Sequence, residues 1–172
     1  VLFNLKRDGK NIAAVGQAGK TGWFYVHDRA TGKLLLKSEA FVPQSNLFAK
    51  ATIEGTRISP GILGGANWSP VALDEANQQV FVAGIHAPIK YTLHETPGKD
   101  GKLPIRYASS EPTEEARWGL LSAIDLSNGK IKWQQKTEQP LVGGVLATAG
   151  GLLFTGEGNG NFSAFDADNG TL

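Results

Sequence analysis

One spacing recurs three times in this chain. In "SAIDLSNGKIKW" Ala123, Asp125, Gly129 and Trp133 stand at intervals of two, four and four residues. "SAFDADNGTL" sets Ala164, Asp166 and Gly170 at the first two intervals, and "VHDRATGKLLL" sets Val26, Asp28, Gly32 and Leu36 at all three. Each position has a physical reading. The small residue faces a crowded position, the Asp caps a strand-to-strand turn, the Gly takes its left-handed corner, and the Trp covers the neighbouring sheet. Asp125 and Asp166 lie 41 residues apart, and roughly 40 residues is the length of one four-stranded propeller blade. The 97 residues from Asp28 to Asp125 suggest an intervening blade, centred on "NWSPVALDEANQQVFVAG", that lacks the motif and carries the loops. The expected fold is all-β: a partial β-propeller of roughly three to four consecutive four-stranded blades, with residues 1–172 forming part of a single domain.

The rest of the chain agrees with that pattern. Short β-rich runs such as "GWFYVHD", "QQVFVAGI", "WGLLSAIDL" and "NFSAFDA" are separated by Gly, Asn and Asp, and no segment sustains a helical period. "GNGN" at Gly158 to Asn161 predicts a hairpin with a type I′ turn. Phe41 to Gly65 and Thr92 to Arg117 are less regular and read as long loops or insertions.

Composition excludes several function classes. Seventeen Lys and Arg against 16 Asp and Glu leave a formal charge of +1, without the clustered basic face that nucleic acid requires, so no nucleic-acid partner is expected. No run approaches the roughly 18 apolar residues of a membrane helix, and the N-terminus lacks signal-peptide features. There is no Cys, which removes thiol chemistry and cysteine metal sites, and no Met even at position 1. The chain also stops two residues before the second motif would place its Trp. It therefore reads as a piece of a longer protein.

The run from Ala123 to Trp133 resembles the tryptophan-docking motif of the quinoproteins, the eight-bladed propeller dehydrogenases that use pyrroloquinoline quinone (PQQ). "QAGKTGWFYVHDRATGKLL", "GGANWSPVALD" and "GGVLATAGGLLFTGEGNGNFSAFDADNGTL" resemble the same family, in its order, over most of the chain. The resemblance implies an oxidoreductase of the alcohol or sugar dehydrogenase type in the periplasm. It also implies PQQ with a calcium or lanthanide ion, and an electron acceptor such as a cytochrome or quinone. Lys20 falls where the family has a cation on the quinone oxygens, which would polarise the carbonyl that accepts hydride. Asn67 matches a family Asn that hydrogen-bonds the cofactor. By residue type alone Lys20 is an ordinary turn lysine and Asn67 a turn residue; Trp68 reads as packing. Val142 precedes the Gly pair where the methanol-oxidising branch has a Trp, a departure that argues against methanol as substrate. No catalytic residue or metal ligand is expected within the chain. "VLFNLKRDGK" resembles the stretch following the family's general-base Asp, so the base and the metal ligands are expected upstream of Val1.

The docking motif also occurs in non-catalytic PQQ-like propellers, which leaves a protein-binding scaffold as the alternative. Other constellations carry less. "GEGNG" lacks the helix a phosphate loop needs. His27, His86 and His94 lack metal-ligand spacing and read as surface or packing residues, and the carboxylates of "EPTEEARW" read as solvated loop charges.

Overall fold

A computed structural model describes all residues, 1–172, as strands and loops without helix. The first sheet is an antiparallel meander of β1 (Leu2–Arg7), β2 (Lys10–Ala18), β3 (Phe24–Asp28) and β4 (Leu34–Lys37). A short β5 (Thr56–Ile58) follows in the long loop. β6 (Ala72–Asp74) and β7 (Gln79–His86) open the second blade. β8 (Ile89–Thr96) and β9 (Ile105–Pro112) leave it to pair with β5, and β10 (Trp118–Asp125) and β11 (Ile131–Thr137) complete it, in the order β6-β7-β10-β11. β12 (Leu146–Ala147), β13 (Leu152–Gly156) and β14 (Phe162–Asp166) make a three-stranded third blade.

The chain thus holds three successive propeller blades and one inserted sheet. The long interval between Asp28 and Asp125 is not a separate blade. "NWSPVALDEANQQVFVAG" supplies β6 and β7, the first two strands of the blade whose last two carry the Ala123–Trp133 motif. The extra length is the β8–β9 excursion, and this also corrects Thr92 to Arg117 from loop to hairpin. β8 alternates Ile89, Tyr91 and Leu93 with Lys90, Thr92 and His94, but β9 does not sustain the pattern, and the Pro-, Gly- and Lys-rich run between them reads as loop.

Alternation in the middle blade is between two cores, not between core and water. On β7, Val80 and Val82 join Phe3, Leu5, Phe24 and Val26 of the first blade. Phe81 and Ala83 face the other way, towards Leu141, Leu153 and Phe165. β10 does the same, with Leu120 and Ile124 on one side and Leu121 and Ala123 on the other. Each fully buried large side chain contributes about 1.5–3 kcal/mol relative to exposure.

The three motifs form the same turn. The amides of Gly32, Gly129 and Gly170 donate to the carbonyls of Asp28, Asp125 and Asp166 at 2.8, 2.7 and 2.8 Å. Those glycines have φ of 72°, 80° and 76°, a region that penalises a Cβ. The Asp side chains cap the turn: Asp28 accepts from the amides of Ala30 and Thr31 at 2.9 and 2.8 Å, and Asp125 from Ser127 at 2.7 Å. The last motif position crosses to the next blade. Trp133 Nε1 donates to the Ala167 carbonyl at 3.0 Å, its ring centroid lies 6.0 Å from that of Phe81, and a Cβ on Gly170 would come within 2.5 Å of the indole. At Gly129 the contact is looser: a Cβ there would stand 3.1 Å from the Lys37 carbonyl and 3.4 Å from Leu36 Cδ1. Trp133 is half-buried, not sealed, and Ala164 is exposed where Val26 and Ala123 are buried. The Gly158–Asn161 hairpin joins β13 to β14 as expected, but only Gly160 has positive φ. A type I′ turn needs two such residues, so the loop is a longer one.

Truncating Trp133 to Ala removes an interblade hydrogen bond and a half-buried indole. We expect a loss of about 2–3 kcal/mol in chemical denaturation, below the ~3–5 kcal/mol of fully buried aromatics; an unchanged midpoint would remove the docking role.

The Asp turns also set the response to acid. The Thr31 amide and hydroxyl hold the Asp28 carboxyl below its ordinary value. For Asp125, burial pushes the other way and is outweighed by the Ser127 hydroxyl and amide together with Asn128. A carboxylate whose pKa is depressed by folding stabilises the protein above its unfolded pKa of ~3.9, and that stability is lost as pH falls through the depressed value. Denaturation midpoints should therefore drop below about pH 4, and the drop should be shallower in the Asp28→Asn, Asp125→Asn double variant. An equally steep acid limb in the variant would place the sensitivity elsewhere.

Candidate site at the upper ends of the blades

The Asp turns lie at one end of the blades; the opposite end gathers three loops. The β2–β3 loop carries Lys20, the segment entering β6 carries Asn67, and the segment entering β12 carries Val142. Backbone hydrogen bonds stitch the first two together: the Gly65 amide donates to the Lys20 carbonyl at 2.8 Å, and the Ala66 amide to that of Gly19 at 3.3 Å. A Cβ on Gly64 would stand 2.5 Å from Lys20 Cα, and one on Gly65 2.6 Å from Gly22 Cα. The glycine pair of "GGANWSP" is therefore what lets the two backbones touch, a close approach that sequence reading passed over. The third loop joins through Ser69 Oγ, which donates to the Val142 carbonyl at 2.7 Å, and through the Val145 amide, which donates to the Pro70 carbonyl at 3.1 Å.

Lys20 and Asn67 stand on these paired segments but line different hollows. Asn67 is half-buried in a cleft of about 180 Å³ with Val1, Gln17 and Ser69. Lys20 is exposed; its ammonium donates to the Ile62 carbonyl at 3.0 Å, at the edge of a cavity of about 510 Å³ between the β2–β3 loop and the inserted sheet. Trp68 is not a packing residue, since 89% of it is exposed. The buried part of its segment is Gly64 to Ala66, and the chain then turns the indole outward.

Two features of this end were missed in the sequence. Arg57 on β5 and Glu115 form a bidentate pair, at 2.5 Å from Nε and 2.6 Å from the terminal nitrogen, so one carboxylate of "EPTEEARW" is a tie and not a free loop charge. The pair holds Glu115 below the ordinary carboxylate range and raises Arg57. Beside it His86, 8% exposed, stacks on Trp118 at 4.2 Å, and its Nδ1 has no partner. Burial first, then the Arg57 charge, lowers its pKa. His94 stacks on Tyr107 and bonds Ser109 at 2.7 Å, and His27 stacks on Tyr25. No three His, Asp or Glu side chains converge to hold a metal ion.

Comparison with known proteins bears on the family and the fold. The domain family described as PQQ glucose/ethanol/alcohol dehydrogenase, beta-propeller domain, matches residues 42–172. A quinoprotein ethanol dehydrogenase of Pseudomonas aeruginosa is 35% identical over 99% of this chain and 31% of its own length; that of Pseudomonas putida is 33% identical with the same coverage. Among solved structures, a quinohemoprotein alcohol dehydrogenase of Pseudomonas putida superposes with a TM-score of 0.79 at 25% identity, over 99% of this chain and 29% of the other. The chain spans about a third of the length of these relatives. With the family match running through two of the three blades and the inserted sheet, and similar proteins aligned along almost all of the chain, it belongs to the PQQ-type glucose, ethanol and alcohol dehydrogenases and forms part of their β-propeller domain.

Proposed function

We infer that the protein serves as part of a periplasmic quinoprotein dehydrogenase that oxidises an alcohol or a sugar, with Lys20 and Asn67 as contacts to PQQ. The observation that carries this reading is the stitching of Gly19–Lys20 to Gly65–Ala66, which brings an ammonium and a carboxamide to the same end of consecutive blades. An ammonium and a carboxamide are two of the donors an anionic quinone would need, no carboxylate lines either hollow to oppose it, and the remaining cations would come from outside this chain. When bound, PQQ with its calcium or lanthanide ion supplies the hydride acceptor and a Lewis acid. The work of this chain is to orient and polarise. Lys20 places positive charge beside a carbonyl oxygen that gains electron density, an interaction strengthened where water is excluded. Asn67, which follows the Gly65–Ala66 backbone tie, would offer the cofactor a neutral hydrogen-bonding group. The proton of the substrate hydroxyl would go to a base outside this chain, and the electrons to a cytochrome or quinone acceptor.

The exposed ammonium, tied only to a surface carbonyl, is free to change partner. Lys20→Ala in the full-length protein reconstituted with PQQ and calcium should lower dye reduction by about 10²–10³-fold, the usual scale for one electrostatic donor. It should also weaken PQQ binding as read by tryptophan quenching. Full activity with unchanged quenching would reject the assignment and favour a protein-binding scaffold.

A further inference from the structure

The inserted sheet joins the middle blade through a narrow neck. β7 ends at His86 and β10 begins at Trp118, and these two residues are cross-strand partners, so the chain from Ala87 to Arg117 leaves the blade and returns between them. Three contacts close the neck. The His86 ring stacks on the Trp118 indole with centroids 4.2 Å apart. The Thr113 amide and hydroxyl donate to the Pro88 carbonyl at 3.3 and 3.4 Å, long for hydrogen bonds. Further out, Glu115 holds Arg57 of β5 through both carboxylate oxygens.

His86 is the one buried titratable side chain of the chain, and its Nδ1 has no partner. A neutral ring can leave that nitrogen as a bare acceptor. An imidazolium must place an N–H there with nothing to receive it, a cost added to that of burying the charge. The charges around the ring work the same way. Arg57 acts on it from β5 and Lys136 from β11, and the Lys136 ammonium already lies over the Trp118 indole, 4.7 Å from its centroid. The segment Gly61–Trp68, which meets β7 where the Ile85 amide bonds Gly65, has no charged residue. Glu115 is the single anion acting on the ring, and both its oxygens are committed to Arg57. Burial first, and then Arg57, accordingly lower the His86 pKa.

We propose that His86 is an acid-sensitive latch on the inserted sheet: neutral, it stacks on Trp118 and keeps the neck shut; protonated, it leaves the stack or draws Glu115 away from Arg57, and β5, β8 and β9 loosen from the middle blade. A histidine whose pKa is lowered by folding stabilises the closed neck above its ordinary value of ~6.5. That contribution declines as pH falls from there to the lowered value, by up to about tenfold in the opening equilibrium for each pH unit. The blade stays folded, because two cores hold β7 and β10 on either side. Ile58, Ile89 and Tyr91 of the inserted sheet wall the hollow beside Lys20, so its loosening widens that hollow in acid, whatever the hollow binds.

Hydrogen–deuterium exchange of the full-length protein, read by mass spectrometry from about pH 5.5 to 7.5 and corrected for the intrinsic pH dependence of amide exchange, measures the opening. The window lies on either side of the histidine range and above that of ordinary carboxylates. Peptides from residues 88–113 should lose protection by up to about tenfold over the first pH unit below ~6.5, while those from β2 and β3 stay level. His86→Phe, which keeps an aromatic ring against Trp118, should flatten the profile. His86→Gln removes the titrating group without a ring and should flatten it too, which keeps the test decisive if the Phe variant does not fold. His94 lies on β8 itself, bonded to Ser109 at 2.7 Å, so His94→Gln serves as the control and should leave the slope unchanged. A level profile in the unaltered protein, a slope that survives the His86 variants, or one that vanishes with His94→Gln overturns the proposal. Equal loss of protection in β2 and β3 overturns it as well, since the whole fold and not the neck would then be opening.

Discussion

Strands β7 and β10 send alternate side chains into two different cores, and the remaining architecture follows from that arrangement. Val80 and Val82 need the first blade to cover them, and Phe81 and Ala83 need the third. A single four-stranded sheet with these sequences would leave both apolar faces in water, so the blade is stable only between neighbours. The Asp-Gly turns then fix the stacking. Gly129 and Gly170 meet the preceding blade, at Leu36–Ser38 and Trp133, and a Cβ at Gly170 would push the indole off. Local turn chemistry and interblade contact are met by the same residue.

Because the turns and their contacts occupy one end, the opposite end is free to vary. β7 and β10 stay in register from His86↔Trp118 to Gln79↔Asp125 although 31 residues separate them in sequence. Loop-closure cost rises only slowly with length, and eight paired positions outweigh it, so a whole hairpin can be inserted between them without disturbing the blade. The Arg57–Glu115 fork, with ordinary surface exposure, adds little stability by itself. Its geometric effect is larger, since it ties β5 to the segment leaving β9.

The repeat was legible because its residues act locally. Asp28, Asp125 and Asp166 cap turns through neighbours two or three positions away, and such contacts leave a fixed spacing in the sequence. The resemblance of the Lys20 and Asn67 segments to a known family was legible for a related reason, since each is a contiguous run. What stayed hidden depends on distant partners. The β8–β9 hairpin is hard to read because the alternation of Ile89, Tyr91 and Leu93 on β8 is not sustained along β9, and neither strand has a continuously buried face. Arg57 and Glu115 are 58 positions apart, and neither residue type announces a partner. The 97-residue interval misled because an insertion inside one blade and an extra blade give the same separation between motifs; only the pairing of β7 with β10 distinguishes them. Trp68 was misread since an aromatic residue in an ordered segment is usually covered, whereas here the covering falls on Gly64, Gly65 and Ala66.

The two glycines of "GGANWSP" connect the stable end of the fold to its variable end. Gly65 donates to the Lys20 carbonyl and accepts from the Ile85 amide at 2.7 Å, so it touches the loop of the first blade and the last turn of β7 at once. Ile85 is itself buried, one residue before the His86–Trp118 stack. The position of Lys20 is thereby referred to the backbone of the middle blade, which two cores hold in place, and not to the long irregular loop from Phe41 onward. The Lys20 backbone in this way keeps a fixed station while its ammonium stays exposed. The inserted sheet supplies the other wall of the Lys20 cavity through Ile89 and Tyr91, which begin where β7 ends. Both walls depart from the same two-residue stretch of β7, so the spacing between cation and apolar wall is set by covalent geometry and strand pairing, leaving the side chains of β9 as the part of the cavity that can change without moving the rest.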